Sequence, residues 1–335
     1  MGEPATIEVE HDEDPDYVPR GRIYRNARAF HRSYLLMEKL FKIYVYEEGE
    51  VPLFHEGPCR SIYSSEGRFI HEMEMGKLYR TKDPDEALVY FLPVSVTNLV
   101  QYLYVPASKD RDPMKRAIVD YVNIIAGRHP FWNRSLGADH FILSCHDWGP
   151  TTSSFVPSCS TNPLGFFAMP ILPKDLTHPK MRRFQINLKT SEVPLGGDRP
   201  STRTLLAFFA GRLQWPHIRY LLLNEWKGKD QDVQVYDELP KGVSYEKKLK
   251  SSKFCLCPSG YEVASPRVVE AIYAECVPVL ISMLMFRLSY LRMQRNVKQV
   301  QRHFVVNGPP KRYDIFHMIV HSIWLRRLNI HIQDI

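Results

Sequence analysis

The sequence predicts an α/β protein with two Rossmann-like domains that face a cleft. Short β-rich segments alternate with helical segments along most of the chain, and the second half holds four predicted strands separated by three predicted helices. A Pro- and Gly-rich stretch, residues 194–200, lies between the halves. With 335 residues and 44% hydrophobic composition, the chain is long enough for two ordinary domains. We therefore expect a ligand to bind in the cleft between them.

The first half begins with an acidic segment that differs from the rest of the chain. Residues 1–20 are acidic and contain three prolines, which predicts a solvated stem or linker. From there onward, apolar periodicity and β-rich runs predict the elements of a first domain that extends over residues 21–195. These are, in order, a helix at 23–40, a strand at 41–46, a helix at 69–79, a strand at 87–94, a helix at 112–125 and a strand at 140–145.

The second half repeats the alternation more clearly and predicts a second domain over residues 196–289. Its predicted elements are strands at 204–210, 233–236, 254–257 and 277–281, with helices at 216–226, 245–251 and 265–275 between them. The amphipathic pattern over 290–328 is interrupted by Gly308-Pro309-Pro310. We interpret the C-terminal region, 290–335, as two helices that pack back across both domains.

The charge distribution predicts an anionic ligand. The net charge is +7, and the first sixteen residues carry seven acidic side chains and no Lys or Arg, so the remainder is about +14. A basic body suits a diphosphate, a polyuronate or nucleic acid, although a solvated basic surface is an alternative. Zinc, RRM and helix-turn-helix signatures are missing, so we expect no nucleic-acid partner. No apolar run reaches the length of a membrane span, and the N-terminus does not have the order of a signal peptide.

The six cysteines do not form a recognisable framework. They are too few for a disulfide scaffold, and no pair of CxxC spacings indicates zinc. Cys255 and Cys257 are two apart in a predicted strand, so their side chains share one face. We interpret them as buried core cysteines.

The segment 257–271 carries the strongest functional signal. A strand ends, a loop containing Ser259 and Gly260 follows, and Ser265 and Pro266 supply an N-cap and an N1 proline for the next helix. This order directs free backbone N–H groups and the positive end of the helix dipole toward the carboxyl edge of the sheet. The segment therefore predicts a site for a diphosphate.

Three charged residues are predicted to complete this site. Arg267 lies in the first helical turn, where a cation is disfavoured, and this suggests a contact with phosphate. Glu270 is three residues further on the same face and has two acceptor oxygens for ribose hydroxyls, although a surface pair between Arg267 and Glu270 is an alternative. Arg212 follows a strand that ends at Gly211, which favours either a second phosphate contact or an exposed loop arginine.

A possible catalytic base follows the last predicted strand of the first half. His146 and Asp147 come just after this strand, where a base can take the proton of a hydroxyl group. A hydrogen-bonded turn beside Trp148-Gly149-Pro150 is an alternative interpretation. Asn133-Arg134-Ser135 has the pattern of an N-glycosylation acceptor.

These residues resemble the plant exostosin-like proteins of glycosyltransferase family 47. The resemblance covers most of the chain, and its clearest segments are 23–58, 131–150, 254–282 and 290–324. It implies a GT-B-like fold, acceptor contacts mainly in the first half, and a UDP-sugar in the second. Transfer would proceed with inversion to a cell-wall or matrix polysaccharide, and other glycosyltransferases would be possible partners. The resemblance also implies that no cofactor and no metal would be needed.

The resemblance also implies roles for particular residues and a location. Ser259, Gly260, Ser265 and the two arginines Arg212 and Arg267 would bind the donor diphosphate, Glu270 would bind the ribose, and Asp147 or His146 would be the base. Family members have a single-pass type II membrane anchor before a stem, so this chain would act on the lumenal side of the Golgi membrane. The anchor itself would be missing from this chain.

Two stretches depart from the family pattern. Residues 152–184 do not resemble it, yet codons for 166–176 can be chosen so that reading each from its third base gives the typical run Leu-Cys-Asn-Ala-Asn-Thr-Pro-Glu-Gly-Phe. We interpret 152–184 as a compensated frameshift. After Ser282 a longer family segment is missing, so the second domain is predicted to be truncated and incomplete. The alternative function is therefore an inactive scaffold that accompanies an active transferase.

Overall fold

The computed structural model describes residues 17–108, 110–153, 191–212, 217–258, 266–281 and 290–327. Two four-stranded parallel sheets organise this part of the chain, with helices packed against them. The predicted α/β class is therefore confirmed. Predictions that fall on residues 1–16, 154–190 and 282–289, which include most of the acidic stem, most of the frameshifted stretch and the break after Ser282, lie outside the described residues.

The first sheet is built from four short strands. They are β1 (Ile43–Val45), β2 (Arg80–Thr81), β3 (Val89–Phe91) and β4 (His140–Phe141), in the spatial order β2-β1-β3-β4. The helices of this region are α1 (Ala27–Leu40), α2 (Ser64–Met75), α3 (Val96–Leu103), α4 (Asp112–Arg128), α5 (Pro130–Ser135) and α6 (Gly149–Ser153), and a 3-10 turn lies at Pro84–Glu86.

The second sheet has the same topology. Its strands are β5 (Leu205–Ala210), β6 (Val233–Tyr236), β7 (Ser252–Pro258) and β8 (Val277–Ile281), in the order β6-β5-β7-β8. Its helices are α7 (His217–Trp226), α8 (Tyr245–Lys250) and α9 (Arg267–Tyr273), followed by α10 (Tyr290–Gln301), a 3-10 turn (Arg302–Phe304) and α11 (Ile315–Arg326). In both sheets the second strand lies on one side of the first and the third on the other. Ligands bind parallel sheets at the carboxyl ends of strands at such a switch point.

Each sheet is buried between apolar layers. In the first region, one core joins the sheet to α1, α2 and α11, and another joins it to α3, α4 and α5. In the second region, a core around Phe208 and Ala271 joins the sheet to α8 and α9. Val193, two residues before the boundary predicted at 195, packs against this second core.

The C-terminal helices contact both regions. Helix α10 packs on α9 and β8 of the second region, whereas α11 packs on α1 of the first. Arg312 reinforces the second contact through a bidentate pair with Glu38 on α1, at 2.7 and 2.8 Å. The two predicted C-terminal helices are thus present, and the second returns to the region in which the chain began.

Local signals explain several differences from the predicted boundaries. Helix α1 begins four residues later than predicted, at Ala27, because Asn26 caps it by accepting the Ala29 N–H at 3.0 Å. Helix α2 begins five residues earlier than predicted, at Ser64. Helix α9 begins at Arg267 with Pro266 at the N-cap, later than the start predicted at 265. Strand β2 and helices α3, α5 and α6 were not predicted, because they are too short to show periodicity.

The cysteine interpretation needs a correction. Cys255 and Cys257 are buried as predicted, but Cys255 forms a disulfide with Cys276. Strands β7 and β8 are neighbours, and Cys255 lies opposite Pro278, so the residue just before β8 comes within reach. The two Cα atoms are 5.8 Å apart, which suits a disulfide.

Within the described residues, no helix is both long and apolar enough to cross a membrane.

Candidate functional site

Arg267 lies at the carboxyl end of β5, the first strand of the second sheet. Its guanidinium donates two hydrogen bonds to the Ala210 carbonyl, from Nε at 3.3 Å and from Nη2 at 2.9 Å, and stacks 5.1 Å from the Phe209 ring centre. A Cβ atom on Gly211 would lie 2.2 Å from Arg267 Nη2, so the glycine leaves the space for this side chain. The predicted phosphate contact is therefore anchored at the switch point between β5 and β7.

Arg219 on α7 is a second cation at this edge, and it was not predicted. Its side chain is 9% exposed, its Nη1 donates to the Arg212 carbonyl at 3.3 Å, and its Nε has no hydrogen-bond partner among the described residues. Burial lowers the pKa of Arg219, and the positive charge of Arg267 lowers it further. A buried cation beside another cation is unfavourable unless an anion joins them.

Arg203 shows what a structural arginine looks like in the same region. It is 3% exposed, and its guanidinium donates to the carbonyls of Asp198 at 2.9 Å, Ser252 at 2.6 Å and Ala274 at 3.0 Å. Its buried donors are thus satisfied by the backbone. Among the described residues, Arg219 has a single backbone acceptor, the Arg212 carbonyl, and its Nε has none.

Glu270 lies one turn after Arg267 on α9. Its Oε2 accepts a hydrogen bond from the Tyr245 hydroxyl at 2.6 Å, and burial together with the charge of Glu270 raises the pKa of Tyr245 well above its usual range. Cys257 at the end of β7 is buried nearby, and burial raises the pKa of its thiol to about 12. The tyrosine therefore holds one carboxylate oxygen of Glu270.

The structure positions only part of the predicted donor set. Arg212 is the second residue after β5, and it has an exposed side chain and a carbonyl that accepts a hydrogen bond from Arg219. Ser259, Gly260 and Ser265 lie outside the described residues. The described members of the set lie at the carboxyl edge of the second sheet, with Arg212 shortly after β5 and with Arg267 and Glu270 on α9.

His146 and Asp147 lie past the carboxyl end of β4 in the first sheet. Tyr63, which directly precedes α2, stacks on the His146 ring with centroids 5.2 Å apart, and its hydroxyl hydrogen-bonds Asp147. Burial and the neighbouring Asp147 charge raise the pKa of Tyr63 to about 12, so this tyrosine stays protonated and donates. The structure thus brings the two predicted residues together beside an aromatic ring.

The hydrogen bond at His146 Nδ1 distinguishes the two candidate bases. The Trp148 backbone N–H donates to Nδ1 at 3.1 Å, so the lone pair of this nitrogen is already in use. Neutral His146 then carries its proton on Nε2, which makes that atom a donor and not a base. Asp147 has carboxylate oxygens that accept protons, and it is the better candidate.

Glu66 connects the loops of this edge and was also not predicted. It lies in the first turn of α2 and is 0% exposed. Its carboxylate accepts hydrogen bonds from Ser95 Oγ at 2.7 Å, the Thr97 N–H at 2.9 Å and the Cys145 N–H at 2.8 Å. Cys145 directly precedes His146, so this buried acid reaches the loop that carries the candidate base.

Asn133, the predicted glycosylation acceptor, lies on α5. The residue is exposed, and its Nδ2 donates to the Ala126 carbonyl at 2.9 Å. Its glycosylation stays a prediction.

In the described part of the chain, no three His, Cys, Asp or Glu side chains are grouped in a way that would hold a metal ion.

The residues that were missed share a physical reason. Tyr63 and Glu66 are about 80 residues from the loop that they contact, and Arg219 is 48 residues from Arg267 although it is only seven from Arg212. For Arg219 and Glu66 a signal was available, because each is a charged residue at a helix position where the apolar periodicity predicts a buried side chain. Tyr63 offered no such signal.

Comparison with known proteins identifies the class. The Exostosin GT47 domain matches residues 37–290, which cover both sheets. The chain therefore belongs to the exostosin family of glycosyltransferases and is a glycosyltransferase of GT47 type. The resemblance drawn from the motifs is confirmed, and the two parallel sheets are compatible with a Rossmann-like glycosyltransferase.

Particular relatives agree with this class. Two probable glycosyltransferases of Arabidopsis thaliana are 48% and 49% identical, with alignments that cover 96% and 95% of this chain and 69% and 75% of those proteins. A probable glucuronoxylan glucuronosyltransferase of the same plant is 26% identical over 61% of the chain and 49% of its own length. The first alignment has 366 positions, and 96% of 335 residues is about 322, so about 44 residues of that relative have no counterpart here.

Proposed function

We propose that this glycosyltransferase moves a sugar from a UDP-sugar to a plant cell-wall polysaccharide, with inversion and without a catalytic metal. The donor diphosphate binds at the carboxyl edge of the second sheet, and the acceptor hydroxyl is activated at the edge of the first. The polysaccharide acceptor is supported by the similarity to a probable glucuronoxylan glucuronosyltransferase. Because the relatives at 48% and 49% identity are themselves named glycosyltransferases, we do not favour an inactive scaffold.

Asp147 takes the proton of the acceptor hydroxyl in the proposed reaction. The acceptor oxygen attacks the anomeric carbon from the face opposite the diphosphate, so the new C–O bond forms as the bond to the phosphate oxygen breaks. The electron pair of the broken bond leaves with UDP, and the positive charge that develops on the sugar is shared with the ring oxygen. Tyr63, which stacks on His146, orients the Asp147 carboxylate through the hydrogen bond from its hydroxyl.

The leaving diphosphate is stabilised by Arg219, Arg267 and Arg212. The single observation that carries the proposal is Arg219, a cation buried next to Arg267 with an unpartnered Nε. An anion that reaches both guanidinium groups removes their mutual repulsion and accepts charge-assisted hydrogen bonds. Such fixed positive charges stabilise a departing diphosphate without magnesium. Ser259, Gly260 and Ser265 add backbone donors in this proposal, and Glu270 binds the ribose.

We place the enzyme on the lumenal side of the Golgi membrane, held by a type II anchor and free to associate with other glycosyltransferases. The Cys255–Cys276 disulfide supports a lumenal location, because disulfides persist in oxidising compartments and are rare in the cytosol. The basic surface, with a net charge of +7, suits an acidic polysaccharide and the anionic donor.

Calorimetric titration of UDP into the wild type and the Arg219→Met and Arg203→Met variants tests the proposal. We expect Arg219→Met to bind UDP about 10- to 100-fold more weakly, because hydrogen bonds to a charged group are lost. Its melting temperature should be unchanged or higher, because an apolar side chain replaces an unpaired buried cation. Arg203→Met should lower the melting temperature and leave UDP affinity unchanged, because it orphans three backbone carbonyls.

If Arg219→Met binds UDP as tightly as the wild type does, the donor diphosphate does not bind at Arg219. If the wild type neither binds UDP nor releases it from any UDP-sugar, the proposal is wrong as a whole. NMR of the product identifies the anomeric configuration, and retention would contradict the inverting mechanism. Loss of transfer on chelation would contradict metal independence.

A further inference from the structure

Glu66 is a buried acid that the proposed reaction does not use directly. Its three hydrogen bonds come from neutral groups, two on the segment that follows β3 and one on the segment that follows β4. The ion pairs found among the described residues do not include it. Burial raises the pKa of Glu66, and the hydrogen bonds offset this in part. A buried acid held in this way lowers stability relative to an apolar side chain, so its presence points to a task.

The segment that contains Glu66 contacts, at several points, the loop that carries His146 and Asp147. We call this loop the base loop. Glu66 binds the Cys145 N–H at 2.8 Å, and Ser65 Oγ lies 2.8 Å from Cys145 Sγ. Tyr63, three residues before Glu66, stacks on His146 and hydrogen-bonds Asp147. Three neighbouring residues at the start of α2 therefore bind three consecutive residues of the loop.

Close packing of the surrounding backbone limits movement of α2 at this position. Gly67, the residue after Glu66, lies against Gly57, and a Cβ atom at Gly67 would be 2.4 Å from the Gly57 carbonyl carbon and oxygen. The same segment reaches the start of α3, because Glu66 binds both the Ser95 hydroxyl, which caps α3, and the Thr97 N–H. The start of α2 is thus fixed on two sides, and the base loop is attached to it through Glu66.

We infer that Glu66 is a positioning residue for the transfer reaction, whose buried carboxylate sets the position of the loop that carries His146 and Asp147. The inference rests on the proposed function, because it assumes that Asp147 is the base. A carboxylate accepts from both segments at once with two rigidly spaced oxygens, whereas an amide presents a donor to one of them. A base displaced by about 1 Å loses about 10²-fold in rate.

Kinetics of the Glu66→Gln variant test this inference. The amide nitrogen would face either the Cys145 N–H or the segment after β3, and the base loop would shift. We expect kcat to fall about 10²-fold, with the KM for the UDP-sugar and the affinity for UDP unchanged, because the arginines of the donor site lie on the second sheet. Tyr34→Phe is the matched control, because on α1 it removes a buried hydroxyl oxygen that accepts a hydrogen bond from the Tyr313 N–H, and it should keep kcat within about twofold.

Hydrogen exchange gives a readout that does not depend on transfer. Amides of residues 144–152 should exchange faster in Glu66→Gln, and those of β5 to β8 should not change. If the wild type shows no transfer, the proposed function fails, and the exchange result still reports whether Glu66 holds the loop. Unchanged kcat with unchanged exchange would overturn the inference, as would a parallel loss of UDP affinity.

A second variant covers the case in which Glu66→Gln does not fold. Ser95→Ala removes one of the three hydrogen bonds to Glu66 together with the cap of α3. Ser244→Ala removes only the cap of α8, so it is the control for the loss of a helix cap. We expect Ser95→Ala to lower kcat about fivefold and Ser244→Ala to leave it unchanged, by the rule that one hydrogen bond contributes about 1 kcal/mol. Equal kcat values in these two variants would contradict a positioning role.

Discussion

The two sheets have the same strand order and opposite chemistry at their carboxyl edges. The first sheet presents acids there, with Glu66 buried beneath the loop that carries Asp147. The second presents arginines, with Arg219 buried and Arg267 bound to the end of β5. The backbone topology alone does not distinguish the regions. A common scaffold thus presents different chemistry at its two carboxyl edges through a few side chains.

Glu66 and Arg219 also show two different ways in which the protein accommodates a buried charged side chain. Glu66 has three neutral donors around its carboxylate, so its hydrogen-bonding capacity is largely used within the protein. Arg219 has an Nε without a partner in the described structure. We therefore expect the Glu66 carboxylate to hold neighbouring segments of the protein in place and the Arg219 guanidinium to bind an anion.

The largest effect is expected at the edge of the first sheet. Asp147→Asn should lower kcat by about 10³-fold, the range found for general bases, and should leave UDP affinity unchanged. Steady-state kinetics with calorimetry of UDP binding measure the two quantities. His146→Gln is the matched variant, because its amide oxygen can still accept the Trp148 N–H, and it should cost much less activity. The reverse ranking would make His146 the base.

Acid pH should affect the two regions differently. Burial lowers the pKa values of His303 and His321 to about 4, and both pack with α1 and α11. Their usual pKa is about 6.5, so between these values the unfolded state binds protons that the folded state does not. The stability that the neutral imidazoles provide is complete above pH 6.5 and is lost as pH falls toward 4, by about 3 kcal/mol for each histidine.

Hydrogen exchange as a function of pH measures this difference. At pH 5, the protection factors of the amides in α1 and α11, which correct for the intrinsic pH dependence of exchange, should be lower than at pH 7.5, and those of β5 to β8 should change less. His321→Gln keeps a hydrogen-bonding group near Ser33 without titrating, so its unfolding free energy should depend less steeply on pH. Equal acid sensitivity of the wild type and this variant would remove His321 from the explanation.

The smallest effect is expected from a methyl group at the edge of the second sheet. Gly211→Ala places a Cβ atom 2.2 Å from Arg267 Nη2, and the flexible end of the arginine can move aside. Stability should therefore change by less than about 1 kcal/mol, while donor affinity falls about tenfold because Arg267 leaves the Ala210 carbonyl. Titration of UDP into this variant measures the change. Gly228→Ala, where no atom lies within 4 Å of the added Cβ, controls for the substitution itself, although its positive φ adds local strain.

The sequence predicted the second region better than the first. The strands 233–236 and 277–281 agree with β6 and β8 at both ends, because each is a compact β-rich run between clear breaks. In the first region, β2 and β4 have two residues each, and such strands exist only through pairing with β1 and β3. Single-sequence periodicity has no access to that pairing.

For the site, local motifs were predictable and long-range partners were not. Arg267 and Glu270 follow from one strand-loop-helix segment, and both lie at the expected edge. Tyr63 and Glu66 meet their partners across about 80 positions of sequence, as the Glu66–Cys145 separation of 79 illustrates. The disulfide was missed for the same reason, because it depends on the register of β7 against β8.

The return of α11 to the first region has a consequence for synthesis on the ribosome. Tyr313, Ile319 and Trp324 belong to the same buried core as Tyr34 and Phe69, although the entire second region separates them along the chain. A nascent chain that has exposed only its first 150 residues therefore lacks one wall of this core. The second region can become compact first, and the first region is completed only when α11 emerges. Removing α11 would accordingly damage the first region, although the second region lies between them in sequence.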